Sequence, residues 1–272
     1  MKMISFAAMK GGTGKTTCCW NIGAYLAKNS KVLIMDDDPQ GNCSSNLRFD
    51  VINMKPNAHT VADIYENISS NPMDVLQPAP IEELPNLDLF PSNMLLHGTE
   101  QMLATRAMRE QVLMRYIKKN NAFFSYYDYI LIDTAPNFGI INQNAFFASD
   151  SIILVSEPDV NSINGVHEFL DLWESARQYA DMEDNVNALI INNVERTKMT
   201  NKMFEYIESQ PDIKKILIES HIIHTTRFKE CAEQNYPITL LKTKSHQEER
   251  SRQKAEKCIA DVVKELKKKG VF

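Results

Sequence analysis

The sequence predicts an α/β fold: a mainly parallel, doubly wound sheet flanked by helices, in one domain spanning residues 1–272. Three observations predict it. Short apolar, β-branched runs alternate with longer amphipathic segments. The runs are almost continuously hydrophobic, as strands covered on both faces must be. The first run leads directly into a glycine-rich turn that opens a helical pattern.

Taken in order, the expected strands are Met3–Ala8, Lys31–Asp36, Leu87–Phe90, Tyr129–Asp133, Ser151–Val155 and Ala188–Asn192. A short strand is also expected near His221–His224. Helical patterns fall between them at Lys15–Lys28, Asn93–Asn120, Ser162–Tyr179, Lys198–Ser209 and Gln247–Lys268. The segment Asn53–Pro91 is rich in Pro and Asn and reads as an insertion with a short helix at Thr60–Asn67. No repeat or low-complexity linker is visible, and no separate DNA-reading module is expected before Met3.

Bulk properties narrow the function classes. The chain has 272 residues, 43% hydrophobic and 24% charged, enough for a sizeable core. Its net charge of −5 argues against binding nucleic acid through overall charge. The charge is uneven, however. Lys242 to Phe272 holds ten Lys or Arg against five Asp or Glu. A basic C-terminal helical region, about 242–269, therefore sits on an acidic body and leaves room for a local anionic partner. The five cysteines are odd in number and form no C-x-x-C pair, which points away from zinc and disulfides and toward a reducing cytoplasm. No run reaches the ~18 apolar residues of a membrane span.

The strongest chemical signal is Met9-Lys10-Gly11-Gly12-Thr13-Gly14-Lys15-Thr16-Thr17. Glycines let the backbone wrap an anion closely, and the helix start turns N–H groups toward it. Lys15 would neutralise the terminal phosphates of a nucleotide, and Thr16 would ligate Mg²⁺. The ordinary pattern G-x-x-x-x-G-K-[ST] wants glycine where Met9 stands, and a second lysine, Lys10, appears next to it.

Two carboxylate groups support this loop. Asp36-Asp37-Asp38-Pro39-Gln40-Gly41-Asn42 ends the second strand, where doubly wound sheets converge on their ligand. Three adjacent acids repel one another unless a cation or water network compensates. Alternation puts Asp36 and Asp38 on one side if the strand stays extended. The apolar run Tyr129–Ile132 ends in Asp133, which would hold Mg²⁺ largely through water.

At these residues the chain resembles the ParA branch of the deviant Walker A ATPases, a superfamily that includes MinD and the nitrogenase iron protein. The motifs KGGTGKTT, DDDPQGN and DYILIDTAPNFG carry the resemblance, with Leu87–Ser92, Gly98–Glu100, Thr226–Glu230 and Tyr236–Ile238 in support. The resemblance implies an ATP hydrolase that pairs face to face on ATP and is reset by slow hydrolysis. Lys10 would act across the homodimer. Gly11, Gly12, Thr13, Gly14, Lys15, Thr16 and Thr17 would hold phosphates, and Thr16, Asp36 and Asp133 the Mg²⁺. Asp38 would position the attacking water, and Asn192 would read adenine. It also implies cytoplasmic partitioning of a plasmid or chromosome, with a ParB-like or other small centromere-binding protein as partner.

Such dimers hold DNA without sequence preference, which needs cations aimed at phosphates. The candidates are Arg227, Lys229, Lys242, Lys244, Arg250, Arg252, Lys254 and Lys257, although Glu248, Glu249 and Glu256 interrupt the cluster. The alternative is MinD-like membrane positioning, which needs an amphipathic C-terminal helix with a bulky apolar face. The tail has one aromatic residue and a short apolar stripe, so no membrane partner is expected. An iron–sulfur reductase would need a cysteine after the Asp133 region, and none is there.

Overall fold

The computed structural model describes residues 1–53 and 58–272. Part of the expected insertion, residues 54–57, lies outside the described residues.

The elements run β1 (Lys2–Ala7), α1 (Lys15–Leu26), β2 (Val32–Asp37), α2 (Asn42–Asn46), α3 (Val61–Glu66), α4 (Pro72–Val75), β3 (Leu87–Phe90) and α5 (Leu96–Leu103). They continue α6 (Val112–Lys119), α7 (Asn121–Phe124), β4 (Tyr129–Thr134), α8 (Ile140–Ala148), β5 (Ser151–Ser156), α9 (Val160–Tyr179) and β6 (Val186–Ile191). The chain then forms α10 (Lys198–Ser209), α11 (Pro211–Ile216), α12 (Arg227–Gln234) and α13 (His246–Lys268). The six strands make one parallel sheet in the order β3-β2-β4-β1-β5-β6. The expected fold class is therefore the observed one.

The sheet separates two apolar cores, and strand alternation assigns each residue to one of them. Met3, Leu33, Met35, Ile130 and Ile132 face the core built with α3, α5, α6, α8 and α9. Ile4, Phe6, Ile34 and Leu131 face the core shared with α1, α2, α12 and α13. Burying each such large side chain contributes about 1.5–3 kcal/mol. The final helix joins the second core through Ala255, Ile259, Val262, Val263 and Leu266, spaced three or four apart. Ser245 starts that helix by accepting the Glu248 N–H at 3.2 Å.

Two expectations need correcting. The helix expected over Asn93–Asn120 is broken into α5, a 3₁₀ turn at Arg109–Gln111 and α6. Met108 adopts a left-handed backbone (φ 54°) at the break. Arg106 is drawn across to α3, donating to the carbonyls of Tyr65 at 2.8 Å and Glu66 at 3.2 Å. That tertiary contact replaces helix continuity. No strand forms at His221–His224; Ile223 makes a single bridge to Val194. Asn193, at φ 60°, turns the chain off the end of β6 before a ladder can grow. The short helix expected at Thr60–Asn67 is α3, with Thr60 and Asp63 forming a capping box.

Candidate functional site

Strands β2, β4 and β1 are neighbours, so their C-terminal ends bring the glycine loop, the Asp triplet and Asp133 to one crevice. The register pairs Asp133 with Phe6 on one side and with Asp36 on the other. Gly12 and Gly14 take φ 84° and 83°, the left-handed region that glycine enters freely. A Cβ on Gly14 would also meet Nδ2 of Asn192 at 2.1 Å. Helix α1 begins directly after Gly14 with no side-chain cap, leaving its first N–H groups to an anion.

Beneath the loop, Lys15 Nζ donates to Asp133 Oδ1 at 2.7 Å, with side chains only 6% and 0% exposed. Burial opposes the lysine's charge, but Asp133 outweighs it and holds its pKa above the ordinary value. Asp133 Oδ2 is buried and has no hydrogen-bond partner among the described residues. An orphaned carboxylate oxygen beside a phosphate loop suits hydrated Mg²⁺, with the half-buried Thr16 hydroxyl as a further ligand. The residues present therefore fit the metal and a nucleotide.

The three adjacent acids divide their work. Asp36 Oδ2 accepts the Ser44 N–H at 2.8 Å and the Ser44 hydroxyl at 2.6 Å, and Oδ1 accepts the Asp38 N–H at 3.2 Å. It holds α2 in place with both oxygens engaged. Burial, with the Asp133 charge beside it, pushes its pKa up to about 8. Asp37 turns to the opposite core, where the Tyr65 hydroxyl donates to it at 2.7 Å. Burial raises its pKa to about 7. Asp38 lies beyond the strand and accepts the Gln40 N–H at 2.9 Å. Burial raises its pKa too, against the pull of that N–H and of Lys15.

The second lysine is held within its own chain. Lys10 Nζ lies 3.3 Å from Asp159 and donates to the Ser162 hydroxyl at 3.1 Å. Asp159 also caps α9 by accepting the Ser162 N–H at 3.1 Å. Asn192 donates from Nδ2 to the Thr13 carbonyl at 2.8 Å, bracing the glycine loop from the end of β6.

The DNA candidates separate into two groups. Arg227 pairs with Glu230 at 2.5 Å and with Glu248 at 3.9 Å, and Arg252 is gripped by Glu249 and Glu256 at 2.8 Å each. Both arginines are about 15% exposed or less. Lys229, Lys242, Lys244, Arg250, Lys254 and Lys257 are exposed. Lys254 and Lys257 line a groove of about 580 Å³ that also contains Arg196 and His224.

Several supporting residues carried no signal in the sequence. Ser44, Tyr65, Asp159 and Ser162 are ordinary polar residues until the fold brings them to the site. Asn21 is another: it ties Thr17 to the Ile238 turn, donating to the Thr17 carbonyl at 2.9 Å and accepting the Ile238 N–H at 2.7 Å.

Known proteins resemble this chain in sequence and in fold. Residues 1–186 match the AAA domain family. The chain is 28% identical over 246 residues to the sporulation initiation inhibitor protein Soj of Bacillus subtilis, covering 90% of this chain and 92% of that protein. It is 28% identical over 200 residues to the chromosome partitioning protein ParA of Caulobacter vibrioides, covering 72% and 71%. Among solved structures, the Cyanothece McdA(D38A)-ATP complex superposes with a TM-score of 0.82 at 22% identity, over 98% of this chain and 96% of that one. A putative plasmid partition protein of Borrelia burgdorferi bound to AMPPNP gives 0.73 at 22% identity, over 98% and 99%. With a nucleotide-shaped loop, its acids and these relatives in agreement, the chain belongs to the AAA domain family as a ParA-type P-loop ATPase.

Proposed function

We propose that residues 1–272 act as one Mg²⁺-dependent ATP hydrolase domain that partitions a plasmid or chromosome in the cytoplasm. ATP binding pairs two copies face to face, the pair holds DNA non-specifically, and slow hydrolysis stimulated by a ParB-like partner releases it. The observation that carries this reading is the buried Lys15–Asp133 pair under an uncapped glycine loop, with one Asp133 oxygen left open. Such a site is built to exchange a carboxylate for phosphate at Lys15 and to free Asp133 for the metal. Bound Mg²⁺ would neutralise charge on the phosphates. The chain's own groups do the rest: the loop N–H groups and Lys15 orient the phosphates, and Asp38 orients the water. Asp36 supports the metal site from behind, because its oxygens hold α2. The Cyanothece relative in the McdA(D38A)-ATP complex holds ATP, which supports ATP as the substrate here.

Asn192 is proposed to read adenine. Its Nδ2 is committed to Thr13, so Oδ1 would accept the adenine amino group. Asn192→Ala is expected to erode preference for ATP over GTP several-fold in competition binding. An equal loss for both nucleotides would leave only the bracing role.

The exposed cations Lys229, Lys242, Lys244, Arg250, Lys254 and Lys257 are proposed to meet DNA phosphates, and pairing doubles that surface. Arg227 and Arg252 act by holding α12 and α13 in place through their glutamates. Retention on random-sequence DNA is expected only with ATP, and to fall steeply with salt. Reversing Arg250, Lys254 and Lys257 to Glu should abolish it. ATP-independent or absent retention in the unaltered protein would reject the DNA reading. Membrane positioning is disfavoured because α13 spends its apolar face on the core. Among the described residues, no helix is long and apolar enough to cross a membrane.

A further inference from the structure

The turn between α12 and α13, residues 235–238, is bonded to elements from three parts of the chain. Its Ile238 N–H donates to Asn21 of α1 at 2.7 Å, and Asn21 holds the Thr17 carbonyl at the end of the phosphate loop at 2.9 Å. The Ile238 carbonyl accepts from Arg252 of α13 at 3.2 Å. On the outer side lies Arg48, just beyond α2. Its Nε donates to the Asn235 carbonyl at 3.3 Å, and its guanidinium lies over the Tyr236 ring, 4.2 Å from the centroid. The Tyr236 hydroxyl donates to Glu83 at 3.4 Å, which fixes the ring's far end.

Two observations mark the Arg48 contact as more than a surface encounter. Arg48 takes a left-handed backbone at φ 65°, and Asn235 opposite takes φ 52°. A long side chain is uncommon in that region and persists where its surroundings hold it. The second observation is what α2 hangs from. Asp36 anchors α2 through the Ser44 N–H and hydroxyl, and Asp36 is registered beside Asp133, the partner of Lys15. A nucleotide that takes over Lys15 and Asp133 therefore acts directly beside the anchor of α2.

We propose that the Arg48–Tyr236 stack couples nucleotide occupancy to the α12–α13 segment within a single chain. Nucleotide fixes Lys15 and Asp133, the Asp36–Ser44 bonds carry that order into α2, and the stack carries it on to the turn. From there the Ile238–Arg252 bond passes it to α13. Such coupling needs no large displacement, because ordering one element lowers the cost of ordering the next. The inner contact, between wholly buried Asn21 and Ile238, is the fixed hinge of the turn. Arg48 is exposed, and its contact is the part that can be made and broken. The turn lies between Lys229 and Lys242, and Lys242 Nζ sits 5.7 Å from the Tyr236 centroid. On the DNA reading, nucleotide thereby sets the basic surface. The coupling itself rests only on nucleotide binding at the loop.

Hydrogen exchange on the full chain, with and without saturating Mg²⁺ and AMPPNP, tests this. In the unaltered chain the nucleotide is expected to slow exchange about tenfold, both at residues 10–17 and at 231–241. Tyr236→Leu, which changes no charge, should keep the slowing at 10–17 and lose most of it at 231–241. Arg48→Ala should do the same. Arg48 is exposed, so this form carries the test if Tyr236→Leu proves unstable. The double variant should lose no more than either single one, as a pair acting as a unit does. Arg48→Lys keeps a cation over the ring and should retain more of the slowing than Arg48→Ala. Unchanged slowing at 231–241 in both single variants overturns the proposal. So does slowing at 10–17 alone in the unaltered chain, or a loss that light scattering traces to failed pairing of chains. Slowing at neither segment would reject the nucleotide site itself, so the failure of each reading is recognisable.

Discussion

Lys15→Ala is expected to abolish nucleotide binding and, separately, to destabilise the nucleotide-free chain by about 3–5 kcal/mol. The two losses have different causes. Binding fails because the loop loses the cation that meets the terminal phosphates. Stability falls because Asp133 is wholly buried and Lys15 is its hydrogen-bond partner at 2.7 Å. Removing the lysine strands a carboxylate in a low-dielectric site where Asp36 already lies beside it. A second substitution separates the effects. Lys15→Ala combined with Asp133→Asn should recover most of the lost stability in denaturant unfolding, because the stranded charge is gone. It should recover no nucleotide binding. Wild-type ATP affinity in Lys15→Ala would remove the phosphate assignment, and unchanged unfolding would mean that the buried pair contributes little.

The second large effect is at Asp38. Asp38→Ala is expected to lower hydrolysis by about 10²–10⁴-fold, the scale of losing a positioned acid–base group, while ATP binding persists. With turnover blocked, saturating Mg²⁺ and ATP should accumulate a stable pair of chains, read by light scattering during size exclusion. Asp38 also accepts the Gln40 N–H, so the alanine form loses a turn contact worth about 1 kcal/mol. Asp38→Asn retains an acceptor there and serves as the control. It should keep the turn and still fail in hydrolysis. Undiminished hydrolysis in both forms would remove the assignment of Asp38. A strictly single chain under these conditions would remove the paired state and the DNA reading that depends on it.

The sequence made the strands legible because parallel strands buried on both faces are hydrophobic throughout, and each of the six named runs is a strand in the sheet. The glycine loop was legible for a similar reason: its chemistry is local, carried by spacing within nine residues. What was not legible depends on residues far apart in the chain. Helical periodicity continues through Asn93–Asn120, yet Arg106 reaches to α3 and the helix stops. Arg227 and Arg252 look like free cations in the sequence, and only the fold reveals that glutamates hold them. Alternation separated Asp36 from Asp37 correctly in principle, but Tyr65 and Ser44 had to be in place before either acid had a role.

The Lys10 contact with Asp159 and Ser162 bears on how readily two chains could join. On the paired reading, one ammonium cannot serve its own helix and a neighbour's nucleotide together, so each chain must let go before it can give. The grip is a loose one: both side chains are about 40% exposed. Partners that wet contribute at most about 1 kcal/mol. On that reading the lysine is held within its own chain until a second copy arrives, and releasing so exposed a contact adds almost nothing to the barrier against assembly.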